Sequence, residues 1–215
     1  EGGMFGFAVC ADGDVALVGA YGADSGKGAA YVFERNAGGT NAWGAVRKLT
    51  APDGAERDWF GYAVSVAGDV ALVGAYRDDT HKGAAYVYLR NAGGTNAWGA
   101  VRKITASDGV AGDMFGWSVS VAGDFALVGA YGVDSSKGAA YIMSVSLETK
   151  NFIQTAKLTA SAGKLKKAGP ETGDDFGCAV SVAGDVVLVG AFRDELEKGA
   201  AYVFERNAGG TNAWG

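Results

Sequence analysis

One stretch of text occurs four times in this chain, and that repetition constrains the fold more than any other feature. Phe-Gly stands at Phe5-Gly6, Phe60-Gly61, Phe115-Gly116 and Phe176-Gly177, at spacings of 55, 55 and 61 residues. Nearly the same words follow each time: FGFAVCADGDVALVGAYGADSGKGAAYVF, FGYAVSVAGDVALVGAYRDDTHKGAAYVY, FGWSVSVAGDFALVGAYGVDSSKGAAYIM and FGCAVSVAGDVVLVGAFRDELEKGAAYVF. A period of this length means one supersecondary unit copied in tandem, so the fold is an array. Repeats this alike speak for architecture before chemistry.

The second copy shows what one unit is. In FGYAVSVAGD, Val64 and Val66 point one way and Ala63 and Ser65 the other, which is the two-residue period of a strand. Ala67-Gly68-Asp69 reads as a tight turn, with glycine supplying positive φ. VALVGAY is apolar on both sides and reads as a strand buried on both faces. RDDTHKG is a polar loop, GAAYVYLR a third strand, NAGGTNAWG a long Gly/Asn connection, and AVRKITA a fourth strand carrying Val101 and Ile104. No segment sustains a 3.6-residue apolar period, so almost no helix is expected. Gly74-Ala75 and Ala84-Ala85 let neighbouring sheets approach closely, and Phe60, Tyr86 and Trp98 fill the wedge between them.

The expected fold class is all-β, a β-propeller of four-stranded antiparallel blades. The blades run over residues 1–55, 56–110, 111–171 and 172–215, and the last lacks its outer strand after Trp214-Gly215. The four copies then belong to one propeller or to part of a larger one. Three arrangements stay open: a window on a larger ring, closure or stacking with another subunit, and a narrow four-bladed ring.

Composition removes several function classes. Glycine makes up 36 of 215 residues, far above the usual share of about 7%. The glycines recur at fixed repeat positions and so belong to turns and close packing. The net charge of −5, without a basic stripe, argues against nucleic acid as a partner. No apolar run is long enough to span a membrane. Cys10 falls where other copies have Ser65, Ser120 and Ser181, and Cys178 where they have Phe7, Tyr62 and Trp117. Their opposite parity places them on opposite faces of equivalent strands, so no disulfide is expected between them.

These copies resemble the FG-GAP repeat family, whose name describes Phe-Gly at the start and Gly-Ala-Pro in the second strand. Here the second motif is Gly-Ala-Tyr (Gly19-Ala20-Tyr21, Gly74-Ala75-Tyr76, Gly129-Ala130-Tyr131) or Gly-Ala-Phe (Gly190-Ala191-Phe192). The resemblance covers essentially the whole chain. It implies a propeller like the head of integrin α subunits, usually seven-bladed. The Tyr variant followed by KGAAYVFERN is more similar to microbial and algal extracellular members. One family feature does not carry over. Some integrin-type blades hold calcium in a DxDxDG loop, whereas the matching segments here are ADGD and three copies of VAGD. These are too short to wrap an ion that takes about six to eight oxygens. Asp14, Asp69, Asp124 and Asp185 are therefore read as turn residues, and no metal or cofactor is expected.

Four further sets of residues invite a functional reading, each beside a plainer one. The loops after the second strand align Asp24, Asp79 and Asp134, with Glu195 in the fourth and Asp78 and Asp194 as extra carboxylates. One reading is a cation held by these carboxylates. The plainer reading is a solvated turn whose charge is offset by the following Lys27, Lys82, Lys137 and Lys198. Asp58, Asp113 and Asp174 precede Phe-Gly and read as turn caps. Trp43, Trp98 and Trp214 end identical Asn-rich segments. They form either a glycan-binding ridge or a set of packed blade edges, and burial favours packing. The insert from Lys164 to Gly173, with Lys164, Lys166 and Lys167, reads as a surface loop and a possible partner contact. Catalytic patterns are absent: the one histidine, His81, lies on a polar loop, and no nucleophile elbow, metal pair or phosphate loop occurs.

The sequence thus points to a non-enzymatic extracellular or cell-surface propeller that works through protein or glycan contacts in adhesion or surface assembly. Self-association through its open blade edge is a further expectation. The alternatives are a structural subunit of an extracellular filament or wall and, more weakly, a propeller hydrolase or lyase.

Overall fold

A computed structural model describes residues 2–160, 173–194, 198–211 and 213–215. Lys164, Lys166, Lys167 and Glu195 lie outside the described residues. The architecture is all-β, with four antiparallel sheets in chain order. Sheet 1 comprises β1 (Val9–Asp12), β2 (Val15–Ala20), β3 (Ala29–Arg35) and β4 (Trp43–Leu49). Sheet 2 comprises β5 (Ala63–Ala67), β6 (Val70–Ala75), β7 (Ala84–Leu89) and β8 (Gly99–Ile104). Sheet 3 holds β9 (Ser118–Ala122), β10 (Phe125–Ala130), β11 (Ala139–Ser146) and β12 (Asn151–Leu158). Sheet 4 has β13 (Phe176–Ala183), β14 (Val186–Ala191) and β15 (Ala200–Glu205), with a bridge from Arg206 to Trp214 where the others have a fourth strand. Each sheet is a simple meander, each strand beside the next.

The turns follow from glycine and aspartate. In all four sheets the first two strands are joined by a two-residue hairpin in which Gly13, Gly68, Gly123 or Gly184 has φ between 53 and 56°. That is the turn with glycine in its first central place. These hairpins leave no loop to enclose a cation. The polar loop after the second strand is tighter than expected. Asp24 and Ser25 have φ/ψ of 50/56 and 57/31°, and Asp79–Thr80 and Asp134–Ser135 repeat this left-handed turn. Left-handed backbone is uncommon outside glycine and suits the short polar side chains found here.

Consecutive sheets lie face to face, and their contact explains the signature motifs. Sheets 1 and 2 enclose Leu17, Val32, Phe60, Val64, Tyr86 and Trp98. Sheets 2 and 3 enclose Leu72, Val87, Phe115, Val128, Tyr141 and Met143. Sheets 3 and 4 enclose Leu127, Ile142, Phe176, Val189, Tyr202 and Phe204. Backbone meets backbone at the glycines. A Cβ on Gly19, Gly74 or Gly129 would stand 2.0–2.1 Å from the carbonyl oxygen of Gly61, Gly116 or Gly177 in the next sheet. A parallel bridge also joins Gly28 to Phe60, Gly83 to Phe115 and Gly138 to Phe176. Phe-Gly of one unit therefore docks on the Gly-Ala and Lys-Gly segments of the unit before it. A side chain reinforces each contact: Cys10 Sγ accepts from Val66 N (3.5 Å), Ser65 Oγ from Val121 N (3.1 Å) and Ser120 Oγ from Val182 N (3.1 Å).

Among the described residues the array does not close on itself. Sheets 1 and 4 are not packed on one another, and each keeps one apolar face in solvent. The closed four-bladed arrangement is thus not the one adopted.

Candidate functional site

The strand directions divide the sequence candidates between two ends of the sheets. The acidic loops, the Phe-Gly turns and the returns to the next sheet share one end. The Gly/Asn hairpins that lead to Trp43 and Trp98, and the Trp214 segment, lie at the other. The two sets therefore cannot make one site.

The acidic loops are occupied by protein cations, but mostly not the ones expected. Lys48, Lys103 and Lys157 come from the fourth strand, not from the Lys that follows each loop. Lys48 Nζ donates to Asp24 (3.1 Å), Lys103 Nζ to Asp53 (2.6 Å) and Asp78 (2.8 Å), and Lys157 Nζ to Asp108 (2.5 Å). Asp134 does pair with the lysine that follows its loop, Lys137, at 3.1 Å. A tyrosine joins the carboxylates in sheets 2, 3 and 4. Tyr86 Oη lies 2.8 Å from both Asp53 and Asp78, Tyr141 Oη donates to Asp108 at 3.0 Å, and Tyr202 Oη donates to Asp194. The single proton of Tyr86 serves one carboxylate at a time, and Lys103 donates to both while offsetting one of their two negative charges. In sheet 1 the equivalent Tyr31 and Lys48 border a cleft of about 420 Å³ with Asp24. Among the described residues no three His, Cys, Asp or Glu side chains converge as a metal would require.

The electrostatics of this cluster follow from burial set against pairing. Burial pushes the Asp53 carboxyl up, but hydrogen bonds from Lys103 and Tyr86 outweigh it and hold the group below the usual carboxylate range. The Asp108 carboxyl is held down by Lys157, against burial, with help from Tyr141. Lys103 loses affinity for its proton through burial and gains more from Asp53 and Asp78, so its pKa rises. Asp53 contributes stability above the unfolded carboxylate value of about 3.9 and loses it as pH falls through its lower folded value. Lys103 contributes below its unfolded value of about 10.4 and loses it as pH rises through its higher folded value. Lys103→Met strands the buried Asp78 carboxylate and should lower stability by about 2 kcal/mol at neutral pH. That is less than for a fully buried pair, because Lys103 is one-third exposed. Urea unfolding at several pH values should show the deficit holding from about pH 5 to 9 and shrinking towards pH 3. Lys48→Met, beside the exposed Asp24, should lose less than about 0.5 kcal/mol.

Two of the aspartates before Phe-Gly, Asp58 and Asp113, act as turn caps. Asp58 accepts from Ala55 N (2.6 Å) and Asp113 from Val110 N (2.8 Å), and both are buried. Burial raises the Asp58 carboxyl pKa above the usual range. In the fourth copy, Arg193 N donates to the Asp174 carbonyl (3.3 Å).

The tryptophans do not form a ridge. Trp98 is 1% exposed between sheets 1 and 2, where its Nε1 donates to Glu34 (3.3 Å) and the Arg90 guanidinium stacks on it. Trp43 is 44% exposed beneath Arg35, and Trp214 packs edge-on against Phe125.

The surface that sequence reasoning missed is aromatic. The residue after each Phe-Gly and the residue after each Gly-Ala meet at one end of the sheets and stack across sheet boundaries. Phe7 contacts Tyr21 (4.7 Å) and Tyr62 (4.8 Å), Tyr62 contacts Tyr76 (4.6 Å) and Trp117 (4.8 Å), and Trp117 contacts Tyr131 (4.5 Å). Trp59 joins beside Tyr21, with Arg77 over its ring at 3.8 Å. Phe7 is exposed, Tyr76 is buried, and the rest are half-buried. Burial, with neighbouring Tyr62, pushes the Tyr76 hydroxyl up to about 12. The signal lay in two aligned columns of aromatic residues at strand ends. Cys178 and Phe192 continue the columns into sheet 4. Cys178 is a free thiol whose pKa is raised by burial, and Cys10 is a free thiol between sheets 1 and 2.

Successive meander sheets, each docking its Phe-Gly turn on glycines of the one before, define a tandem all-β repeat protein. The sequence pattern of the FG-GAP repeat matches residues 1–33, 43–88, 98–143 and 152–204, more than half of the chain. The chain belongs to the FG-GAP repeat family. The second to fourth matches begin at or near a fourth strand of one sheet and run into the third strand of the next. Each sequence unit therefore straddles two sheets and ties them covalently. No curated protein matches the chain.

Proposed function

We propose that this protein is a non-enzymatic interaction module, a β-propeller or a part of one, acting outside the cell or at its surface. Family membership supports the class, since FG-GAP repeats suggest β-propeller domains commonly involved in protein interaction and are typical of extracellular proteins. No helix among the described residues is long and apolar enough to cross a membrane. The observation that carries the reading is the aromatic end of the sheets. Seven rings and the Arg77 guanidinium form one continuous half-exposed strip across three sheets. Aromatic side chains and arginine are the residues enriched where proteins bind proteins, and rings held by neighbours lose little entropy on contact.

A protein ligand in adhesion or surface assembly fits this strip best. Binding to immobilised extracellular proteins and to a glycan array, with and without calcium, tests the reading. Trp117→Ala should weaken the partner contact about 30-fold or more while the fold persists. Binding unchanged by Trp117→Ala and by Tyr62→Ala would remove the strip from the account. A second reading, a structural subunit, is favoured by the apolar faces that sheets 1 and 4 leave in solvent.

A further inference from the structure

We infer that the free face of sheet 4 is a docking surface for the free face of sheet 1 in a second copy of this chain. The two faces are the halves of an interface already present inside the molecule. Where sheet 1 packs on sheet 2, Val15, Leu17 and Val32 are no more than 2% exposed. The same three residue types stand at the same places in sheet 4 as Val186, Leu188 and Val203, where they are 42, 43 and 60% exposed. On the opposite side of that interface sheet 2 buries Phe60 completely and Val64 to 8%. Their counterparts in sheet 1, Phe5 and Val9, are 60 and 70% exposed.

The glycines point to the same occupant. A Cβ on Gly19 or Gly28 would meet the carbonyl of Gly61 or Phe60 at 2.1 or 1.9 Å, so those glycines are required by what sits on them. Gly190 and Gly199 hold the same places in sheet 4, and a Cβ on either would find nothing nearer than 3.4 Å. They are shaped to receive a Phe-Gly turn, and Phe5-Gly6 is the turn of this chain that contacts no preceding sheet, since a Cβ on Gly6 meets nothing within 4 Å. Ser181 stands where Ser65 and Ser120 accept an amide of the following sheet, and it is exposed.

Charge selects a second copy in this register. Glu34 of sheet 1 receives Trp98 Nε1 at 3.3 Å and lies 3.6 Å from Arg90 Nε of sheet 2. Sheets 2 and 3 replace that glutamate with Leu89 and Ser144, but sheet 4 restores it as Glu205. Sheet 1 carries the complement, Arg35 and Trp43, both exposed. Sheet 4 on sheet 1 of another copy therefore regenerates the glutamate, tryptophan and arginine set of sheet 1 on sheet 2, ion pair included. Such a contact is heterologous, joining unlike faces, and it propagates until it closes. Two copies supply eight sheets, within the range of about four to eight found in closed propellers.

The test uses two half-blocked chains and light scattering after size exclusion. Val9→Glu places a charge on the sheet-1 face, and Leu188→Glu places one on the sheet-4 face. Both positions are exposed, so each variant should keep the melting curve of the isolated chain. The wild-type chain should have the mass of two copies or more, and each variant alone the mass of one. An equimolar mixture of the two variants should form a heterodimer, because each retains the face that the other lacks. A monomeric wild-type chain would overturn the proposal and leave the faces to other repeats or another protein. So would a mixture that stays monomeric, or a Val9→Glu chain that still dimerises.

Discussion

Replacing Trp98 by alanine should lower the unfolding free energy by about 3–5 kcal/mol, the usual loss for a large aromatic removed from a core. Trp98 is 1% exposed and packs among residues from both sheet 1 and sheet 2, so its removal opens a cavity along their shared seam. It also leaves Glu34 without the indole donor, with the partly exposed Arg90 nearby. The matched change Trp43→Ala, in an identical NAGGTNAWG segment, should lose less than about 1 kcal/mol in the isolated chain. Urea midpoints for the two variants measure the difference. Equal losses would mean that the tryptophans are held within their own hairpins and not by the neighbouring sheet. In a head-to-tail assembly, Trp43→Ala should gain a second effect and weaken association, because Trp43 then takes the role of Trp98.

Much of this architecture was legible because the repeat supplies its own alignment. The four strands of the unit, the glycine turns, and the wedge of Phe60, Tyr86 and Trp98 all followed from period and residue type. What escaped were relations between units. Lys48 and Lys103 were not linked to the acidic loops, nor Lys157 to Asp108, since their contacts join a fourth strand to turns distant in sequence. Asp53 and Asp108 belong to the return into the next sheet, so no single-unit reading brings them to Tyr86 and Tyr141. The aromatic strip failed for the same reason. Phe7, Tyr62 and Trp117 were aligned as one column, and Tyr21, Tyr76 and Tyr131 as another. That the columns interleave depends on how far one sheet is displaced from the next. The three tryptophans share a sequence context but not an environment: sheet 1 packs over Trp98 and Phe125 of sheet 3 meets Trp214, whereas no preceding sheet of this chain covers Trp43.

Gly74→Ala and Gly190→Ala make the same chemical change at the same motif position, and they should move stability in opposite directions. At Gly74 the new methyl would stand 2.0 Å from the Gly116 carbonyl oxygen and 3.0 Å from its carbon. Both atoms are backbone, so no rotamer relieves the contact and sheets 2 and 3 must part by about an ångström. Overpacking of that kind should destabilise by about 3 kcal/mol or more. At Gly190 the nearest atom is the Ala179 Cβ at 3.4 Å, an ordinary contact, and φ is not in the left-handed region. Alanine there restricts the unfolded chain and should stabilise by up to about 0.5–1 kcal/mol. These glycines exist to admit the Phe-Gly turn of the next sheet. Equilibrium urea unfolding of both variants, in a Val9→Glu background that keeps the chain monomeric, tests this directly. A large loss for Gly74→Ala beside no loss for Gly190→Ala is the result this account predicts. Equal losses at both positions would contradict it, because the glycine would then serve its own strand and not the sheet that docks upon it.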